Sequence, residues 1–280
     1  MIKLAAARAL SIGALGVFAA VAAGSGSWLR LERHELKTRK LKGGFKILQI
    51  SDLHACSLKR PRPNIWRAVD RLDFDAVMLT GDMIRVGLEQ LVPHLPYIKA
   101  LCARAPVFFA EGNHELRHGY GTKELLERCG AVTLYNQGAE AVINGERIRV
   151  VGLRDYDYFR ALRRGRAAAR RALNDVLNGL LPEGEQPYTI VLCHQPQVFG
   201  GLAGFGADLV LSGHTHAGQV RLPFMPALYA PGQGAFPRYD RGFYRVGRSL
   251  MYISGGIGAT VFSLRFFNRP SIALFEIIGK

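Results

Sequence analysis

A chain of 280 residues, 49% of them hydrophobic, is too apolar to be disordered and long enough to bury a full core, as one large domain or two small ones. Its net charge of +15 and pI near 10.0 exclude indifference to anions and point to nucleic acid, phospholipid headgroups or a phosphorylated substrate. The four cysteines (Cys56, Cys102, Cys129, Cys193) are scattered without a C-x-x-C pair, which argues against a thiolate metal site and against a disulfide framework.

In chain order, the first feature is an uncharged run of 21 residues, Ala9 to Leu29, close to the roughly 20 that a spanning helix needs. Lys3 and Arg8 precede it, and Trp28 stands where an interfacial aromatic would. The competing reading is a cleaved signal peptide ending at Ala20-Val21-Ala22. Arg30, Arg33, Lys37, Arg39, Lys40 and Lys42 follow directly. Such a basic cluster disfavours translocation of what comes next and suits an anionic leaflet, at roughly 1 kcal/mol per residue near the surface. The expected organisation is a transmembrane anchor or signal segment over 1–29, a basic juxtamembrane linker over 30–44 and one folded domain over 45–280. The expected location is the inner membrane with the domain on the cytoplasmic side, export being the alternative.

The rest reads as α/β. Phe45–Ile50 is a short apolar strand, Pro63–Leu72 a helix and Ala76–Thr80 a strand. Val86–Leu101 is helical with Pro93 and Pro96 interrupting it. Val107–Ala110 is a strand, Thr122–Cys129 a helix, and Val142–Ile143 with Ile148–Val151 a hairpin around Asn144-Gly145. Tyr188–Cys193 and Leu209–Leu211 are strands, with Cys193 a small buried apolar residue. Phe243–Ile278 is β-rich with Gly255-Gly256 as a turn. Strands followed by helices, then more strands, predict two sheets packed together with helices outside.

Five short fragments stand at the ends of these apolar runs: Asp52-Leu53-His54, Gly81-Asp82, Gly112-Asn113-His114-Glu115, His194 and Gly213-His214-Thr215-His216. Singly, Asp52 reads as a helix cap, Gly81-Asp82 as a common turn, and each histidine as a backbone hydrogen-bonder. As an ordered set they are what a two-metal hydrolase needs: carboxylate, imidazole and amide ligands on rigid supports beside glycines that let the backbone turn. His34, His94 and His118 match no fragment and read as surface residues.

At these residues the chain resembles the calcineurin-like metallophosphoesterases, over roughly Phe45 to Ile278 and in the pattern D-x-H, G-D, G-N-H-[DE], H, G-H-x-H. The resemblance implies a four-layer α-β-β-α sandwich with its site at the carboxyl ends of the strands. It implies two divalent cations, Mn, Fe or Zn with Mn favoured. Asp52, His54 and His216 would hold one; Asn113, His194 and His214 would hold the other; Asp82 would bridge them. It implies that His114 faces the substrate and stabilises or protonates the leaving oxygen. Gly213–Val220, and Gly255-Gly256-Ile257-Gly258 followed by Arg265-Phe266, resemble the small membrane-associated branch, which includes hydrolases of UDP-2,3-diacylglucosamine in lipid A assembly. That branch more often closes on N-P-P-E, where this chain has Asn268-Arg269-Pro270-Ser271.

Two stretches bear on substrate. Arg160, Arg163, Arg164, Arg166, Arg170 and Arg171 fall on one predicted helix, either a solvated amphipathic face or a basic cap in which Arg163, Arg166 and Arg170 bind diphosphate or bilayer phosphate. Between His216 and Leu250, Phe224, Met225, Leu228, Tyr229, Phe236, Tyr239, Phe243 and Tyr244 are either core or a membrane-dipping loop. The expected function is hydrolysis of a phosphodiester or pyrophosphate bond in an anionic lipid precursor at a membrane, with a broad phosphodiesterase or phosphoprotein phosphatase as alternatives. No nucleic-acid partner is expected, since no binding module accompanies the charge.

Overall fold

The computed structural model describes residues 29–54, 65–180, 186–218, 221, 225–258, 265 and 268–280. The first sheet contains β1 (Arg30–Thr38), β2 (Gly44–Ile50), β3 (Ala76–Thr80), β4 (Val107–Ala110), β5 (Val132–Thr133) and β14 (Ser271–Gly279), in the order β1-β14-β2-β3-β4-β5. The second contains β6 (Gln137–Ile143), β7 (Glu146–Leu153), β8 (Tyr188–Cys193), β9 (Leu209–Ser212), β12 (Gly242–Val246) and β13 (Ser249–Ile253), in the order β12-β13-β9-β8-β7-β6. A short ribbon pairs β10 (Tyr229–Ala230) with β11 (Gly234–Ala235). Within the first sheet β2, β3, β4 and β5 run parallel, and within the second β7, β8, β9 and β13 do.

The central strands are apolar on both faces because both faces are covered. Alternation then sorts their side chains into layers. Phe45 and Ile47 of β2, Ala76 and Met78 of β3, Ile190 and Leu192 of β8, and Leu209 and Leu211 of β9 fill the layer between the sheets. Leu48, Ile50, Val77, Leu79, Val107 and Phe109 face the other way, against Trp66 of α1 (Ile65–Val69), Ile98 and Leu101 of α2 (Leu95–Arg104) and Leu126 of α4 (Thr122–Arg128). On the far side, Val151, Val191, Cys193, Val210 and Met251 pack on Leu173 and Leu177 of α6 (Arg166–Leu180) and on Phe199 and Leu202 of α7 (Phe199–Leu202). Three apolar layers separate helices, sheet, sheet and helices, a mixed-sheet α/β sandwich. Gln49 ties the sheets across the middle layer, its Nε2 donating to Thr80 Oγ1 at 2.9 Å and to the Ser212 carbonyl at 3.0 Å.

Several expectations need correction. Residues 30–44 do not form a linker: Arg30–Thr38 is an edge strand pairing in parallel with β14, from Arg30↔Ser271 to Thr38↔Gly279. Its charges are those of an edge that must resist pairing with another chain. The proline-interrupted helix is two 3₁₀ turns, Leu88–Gln90 and Val92–His94, followed by α2 with Pro96 in its first turn, where the missing N–H costs nothing. His94 is buried rather than on the surface and takes a 3.1 Å hydrogen bond from Trp66 Nε1. His34 is partly buried, in ring contact with Phe243, Tyr252 and Phe275, while His118 is exposed as expected. The arginines do not share one helix: α5 (Asp155–Leu162) ends before Gly165, whose φ of +110° turns the chain into α6. The hairpin runs longer than expected, through all of β6 and β7, and turns at Asn144 and Gly145 with φ 49° and 80°.

The uncharged segment read as an anchor lies outside the described residues except for Leu29, which packs against the core. No helix among the described residues is long and apolar enough to cross a membrane.

Candidate metal centre

The topology explains why distant fragments meet. Asp52 and His54 follow β2, Asp82 follows β3, and Asn113 and His114 open α3 (Asn113–His118) after β4; these three strands are parallel neighbours. His194 follows β8, and His214 and His216 follow β9, parallel neighbours in the other sheet. Both sets therefore emerge at carboxyl ends, where open α/β sheets leave a crevice.

The backbone there is strained. Asp52, His54, Asp82, His214 and His216 have φ of 50°, 44°, 54°, 67° and 49°. Left-handed non-glycine residues cost of order 1–3 kcal/mol each and persist only where the surroundings over-determine them. The restraints are visible. Asp52 N–H donates to the Gly81 carbonyl at 3.0 Å, His54 N–H to the Asp82 carbonyl at 2.9 Å, and His214 N–H to Asp52 Oδ1 at 3.0 Å. The buried Glu115 carboxylate accepts N–H groups from Asp82 at 2.8 Å, Gly112 at 2.7 Å and Ile84 at 3.1 Å, binding two of the loops to each other. Gly81, at φ +83°, leaves no room for a side chain, since a Cβ would stand 2.7 Å from His194 Nδ1.

The ligand-type atoms converge. His54 Nε2 and His216 Nε2 are 3.0 Å apart, and His216 Nε2 is 3.4 Å from Asp52 Oδ1. His194 Nε2 is 3.0 Å and His54 Nε2 3.9 Å from Asp82 Oδ2. Among the described residues, three groups have ligand-type atoms all within 4.8 Å of one another: Asp52, His54 and His216; His54, Asp82 and His114; Asp82, His194 and His214. Asp82 belongs to two of them and lies between the sets. Asn113 is on the same rim; its Oδ1 is buried without a hydrogen-bond partner, as is His214 Nε2.

Electrostatics make this cluster costly in isolation. Asp52 and Asp82 are 0% and 2% exposed. Burial, reinforced by the charge of Asp82 and opposed by His194, pushes the Asp52 carboxyl up. Burial acts on Asp82 too, but the imidazoles of His194, His54 and His114 outweigh it and hold that carboxylate far below its usual range. Burial, then neighbouring imidazoles, lowers His214 to about 3; burial also lowers His54 and, with His54 and Arg265 adding to it, His216. Burial and Asp82 raise Glu115 to about 7. The outcome is that His54, His214 and His216 are held toward the neutral form beside buried carboxylates, together with an amide oxygen and a ring nitrogen lacking partners. That donor set fits divalent Mn, Fe or Zn, and a cation would relieve both the unsatisfied acceptors and the carboxylate repulsion.

His114 differs from the other histidines at the site. Its side chain is 25% exposed. Its ring Nδ1 stands 2.6 Å from the Arg85 carbonyl, so Nδ1–H donates there and Nε2 is turned to the cleft, 4.0 Å from Asp82 Oδ2.

Two further residues were assigned no role from sequence. Arg265, 5% exposed, reaches His216 Nδ1 at 3.2 Å and donates to the carbonyls of Gly255 at 2.8 Å and Gly258. Asn268 donates to the His216 carbonyl. No local periodicity marks either; only the turn Gly255–Gly258 beside Asp52, where Gly258 N–H donates to the Asp52 carbonyl at 2.7 Å, shows what they hold in place. Glu115 had a local signal, an acid at the third helical position after Gly112, as in a capping box. Arg163, Arg166 and Arg170 are exposed, and none forms a hydrogen bond or ion pair with the cluster.

A sequence model of calcineurin-like phosphoesterases matches residues 45–218. The uncharacterized metallophosphoesterase YkuE of Bacillus subtilis (strain 168) is 29% identical over 291 aligned positions, covering 95% of this chain and 94% of that protein. An uncharacterized metallophosphoesterase of Helicobacter pylori (strain ATCC 700392 / 26695) is 31% identical, with 86% of this chain aligned to 62% of it. The phosphodiesterase YaeI of Escherichia coli (strain K12) is 28% identical, covering 90% of this chain and 89% of its own length.

Proposed function

We infer the reaction from one premise: the chain belongs to the calcineurin-like phosphoesterase family and is a metal-dependent phosphoester hydrolase. The proposed reaction is hydrolysis of a phosphodiester or pyrophosphate bond at a dinuclear centre, in a lipid-linked diphosphate such as UDP-2,3-diacylglucosamine held at the cytoplasmic face of the inner membrane. The observation that carries the dinuclear reading is Asp82, shared by two ligand groups and lying between their imidazoles. Support for a diester comes from the likeness to a protein named phosphodiesterase. Support for a bilayer-held anion comes from the charge of +15, the uncharged run Ala9–Leu29 and the exposed Met225, Tyr229 and Phe236.

In this reading Asp52, His54 and His216 would hold one divalent ion and Asn113, His194 and His214 the other, with Asp82 placed to serve either. Two such ions, Mn in the favoured case, would supply Lewis-acid charge and activate water. The protein's own residues do the rest. Buried glycine-bounded turns keep the ligands from relaxing. The Arg85 carbonyl holds a proton on His114 Nδ1, so Nε2 is the nitrogen free to act on the leaving oxygen, and it gives up a proton there only from the doubly protonated imidazolium, returning to the Nδ1–H form. Exposed arginines on α5–α6, including Arg163, Arg166 and Arg170, meet phosphate at the bilayer surface.

The test is a panel assay of the purified full chain with Mn(II), against UDP-2,3-diacylglucosamine in bilayers, bis-aryl phosphates and phosphopeptides. Preference for the bilayer-held diphosphate supports the reading. Equal turnover of soluble and bilayer-held diesters would leave a general phosphodiesterase, and preference for phosphopeptides a protein phosphatase. A reporter fusion placing the domain outside the cytoplasm would count against the lipid precursor.

A further inference from the structure

Gln197 lies in the 3₁₀ turn Pro196–Val198, three residues after His194. Its side-chain Nε2 and Oε1 are both buried, and neither has a hydrogen-bond partner. A buried amide with both ends unsatisfied is uncommon, because each orphaned group carries its full desolvation cost. The amide borders the metal crater. The point where a Cβ on Gly232 would stand is 2.7 Å from Gln197 Nε2 and 3.1 Å from His214 Nε2, itself without a hydrogen-bond partner. Gly232, at φ +71°, puts no side chain between the two atoms, and Gln195 Oε1 borders the same point at 3.6 Å.

We propose that Gln197 is a substrate-binding residue that reads the ester arm of a phosphodiester: its N–H donates to an oxygen near the phosphoryl group, and its carbonyl accepts from a hydroxyl or amide N–H on that arm. A metal ion would occupy only the oxygen. A bare phosphate offers oxygens that accept but no donor to match the amide carbonyl. Turning the amide over exchanges the two atoms and leaves the requirement for one donor and one acceptor unchanged. The inference rests on the phosphodiesterase reading and adds a class to it, an organic arm rich in hydroxyl or amide groups, as in a nucleoside.

The experiment uses the full chain loaded with Mn(II) and two chromogenic diesters. Thymidine 5′-p-nitrophenyl phosphate carries a hydroxyl and an imide N–H; bis(p-nitrophenyl) phosphate carries neither. In Gln197→Leu, kcat/KM for the thymidine ester is expected to fall about 10- to 100-fold, mostly through KM, with a much smaller loss on the bis-aryl ester and unchanged metal stoichiometry. Gln197→Glu, nearly the same size but unable to donate when ionised, is expected to show the same selective loss and serves if the leucine variant fails to fold. Equal losses on both esters, no loss on either, or departure of a metal ion would overturn the proposal. Wild-type enzyme active on both esters with indiscriminate Gln197 variants overturns this inference alone; wild type inert toward both overturns the phosphodiesterase reading and this inference with it.

Discussion

Asp52 and Asp82 are 0% and 2% exposed among five close imidazoles, whereas Arg163, Arg164, Arg166, Arg170 and Arg171 stand in solvent on and between α5 and α6. Both regions concentrate charge, and they answer its cost in opposite ways. In the crater, low-dielectric surroundings magnify each interaction, and backbone bonds, glycine turns and residues such as Glu115 and Arg265 hold the candidate ligands Asp82 and His216 and the turns around them. On the helices, water screens the guanidinium groups and nothing need hold them. Dense restraint around strained, buried polar groups marks chemistry; density of charge alone marks a surface.

The largest effect that would sharpen this contrast is expected for Asp82→Ala. Removing the carboxylate common to two ligand groups should abolish turnover on every substrate and release at least one metal ion, read by elemental analysis alongside the rate. A variant retaining two ions and near-native turnover would mean the crater is not the reaction site.

His114→Ala comes next. Its ring is oriented by a backbone carbonyl rather than buried among the ligands, so metal content should stay while kcat falls about 10²–10⁴-fold. Because its Nε2 also stands within ligand distance, loss of a metal ion in this variant would reassign it from proton transfer to coordination.

Arg265→Met probes how far restraint extends. The change strips the Gly255 and Gly258 carbonyls of a donor and frees His216, at an expected cost of about 1–3 kcal/mol in stability. Metal affinity should weaken on the Asp52–His54–His216 side while the other ion stays bound, as read by stepwise titration. Two unchanged affinities would show that Arg265 is only a structural tie.

The smallest effect is expected for the triple variant Arg163→Ala, Arg166→Ala and Arg170→Ala. Stability should change by less than about 0.5 kcal/mol, and turnover of a soluble diester hardly at all. Binding to anionic vesicles should weaken by roughly 1 kcal/mol per residue at low salt. Loss of soluble-diester turnover comparable to that of His114→Ala would erase the distinction between the two regions.

Much of this was legible in the sequence because it is local. Apolar runs ending in Asp52, Asp82, Gly112 and His194 reported both the strands and the positions just past their ends, since a strand buried on two faces needs an uninterrupted apolar stretch. The same locality misled at β1. Alternating charge over Arg30–Thr38 reads as linker or membrane-facing segment until β14, at the other end of the chain, supplies its hydrogen bonds. His94 misled likewise, since nothing near it in sequence announces Trp66.

By itself the sequence determined the class of fold, the strand ends and the chemical types of the polar residues that stand there, because those follow from hydrophobic run length, glycine placement and side-chain chemistry. Tertiary structure alone decided which atoms meet. It brought β2–β4 of one sheet and β8–β9 of the other to a common edge, put Asp82 between two sets of imidazoles, and seated Arg265 and Gln197 beside His216 and His214. Long-range packing carries no local signature: a buried guanidinium or amide is recognisable only by the partners it has, or lacks, once the chain is folded.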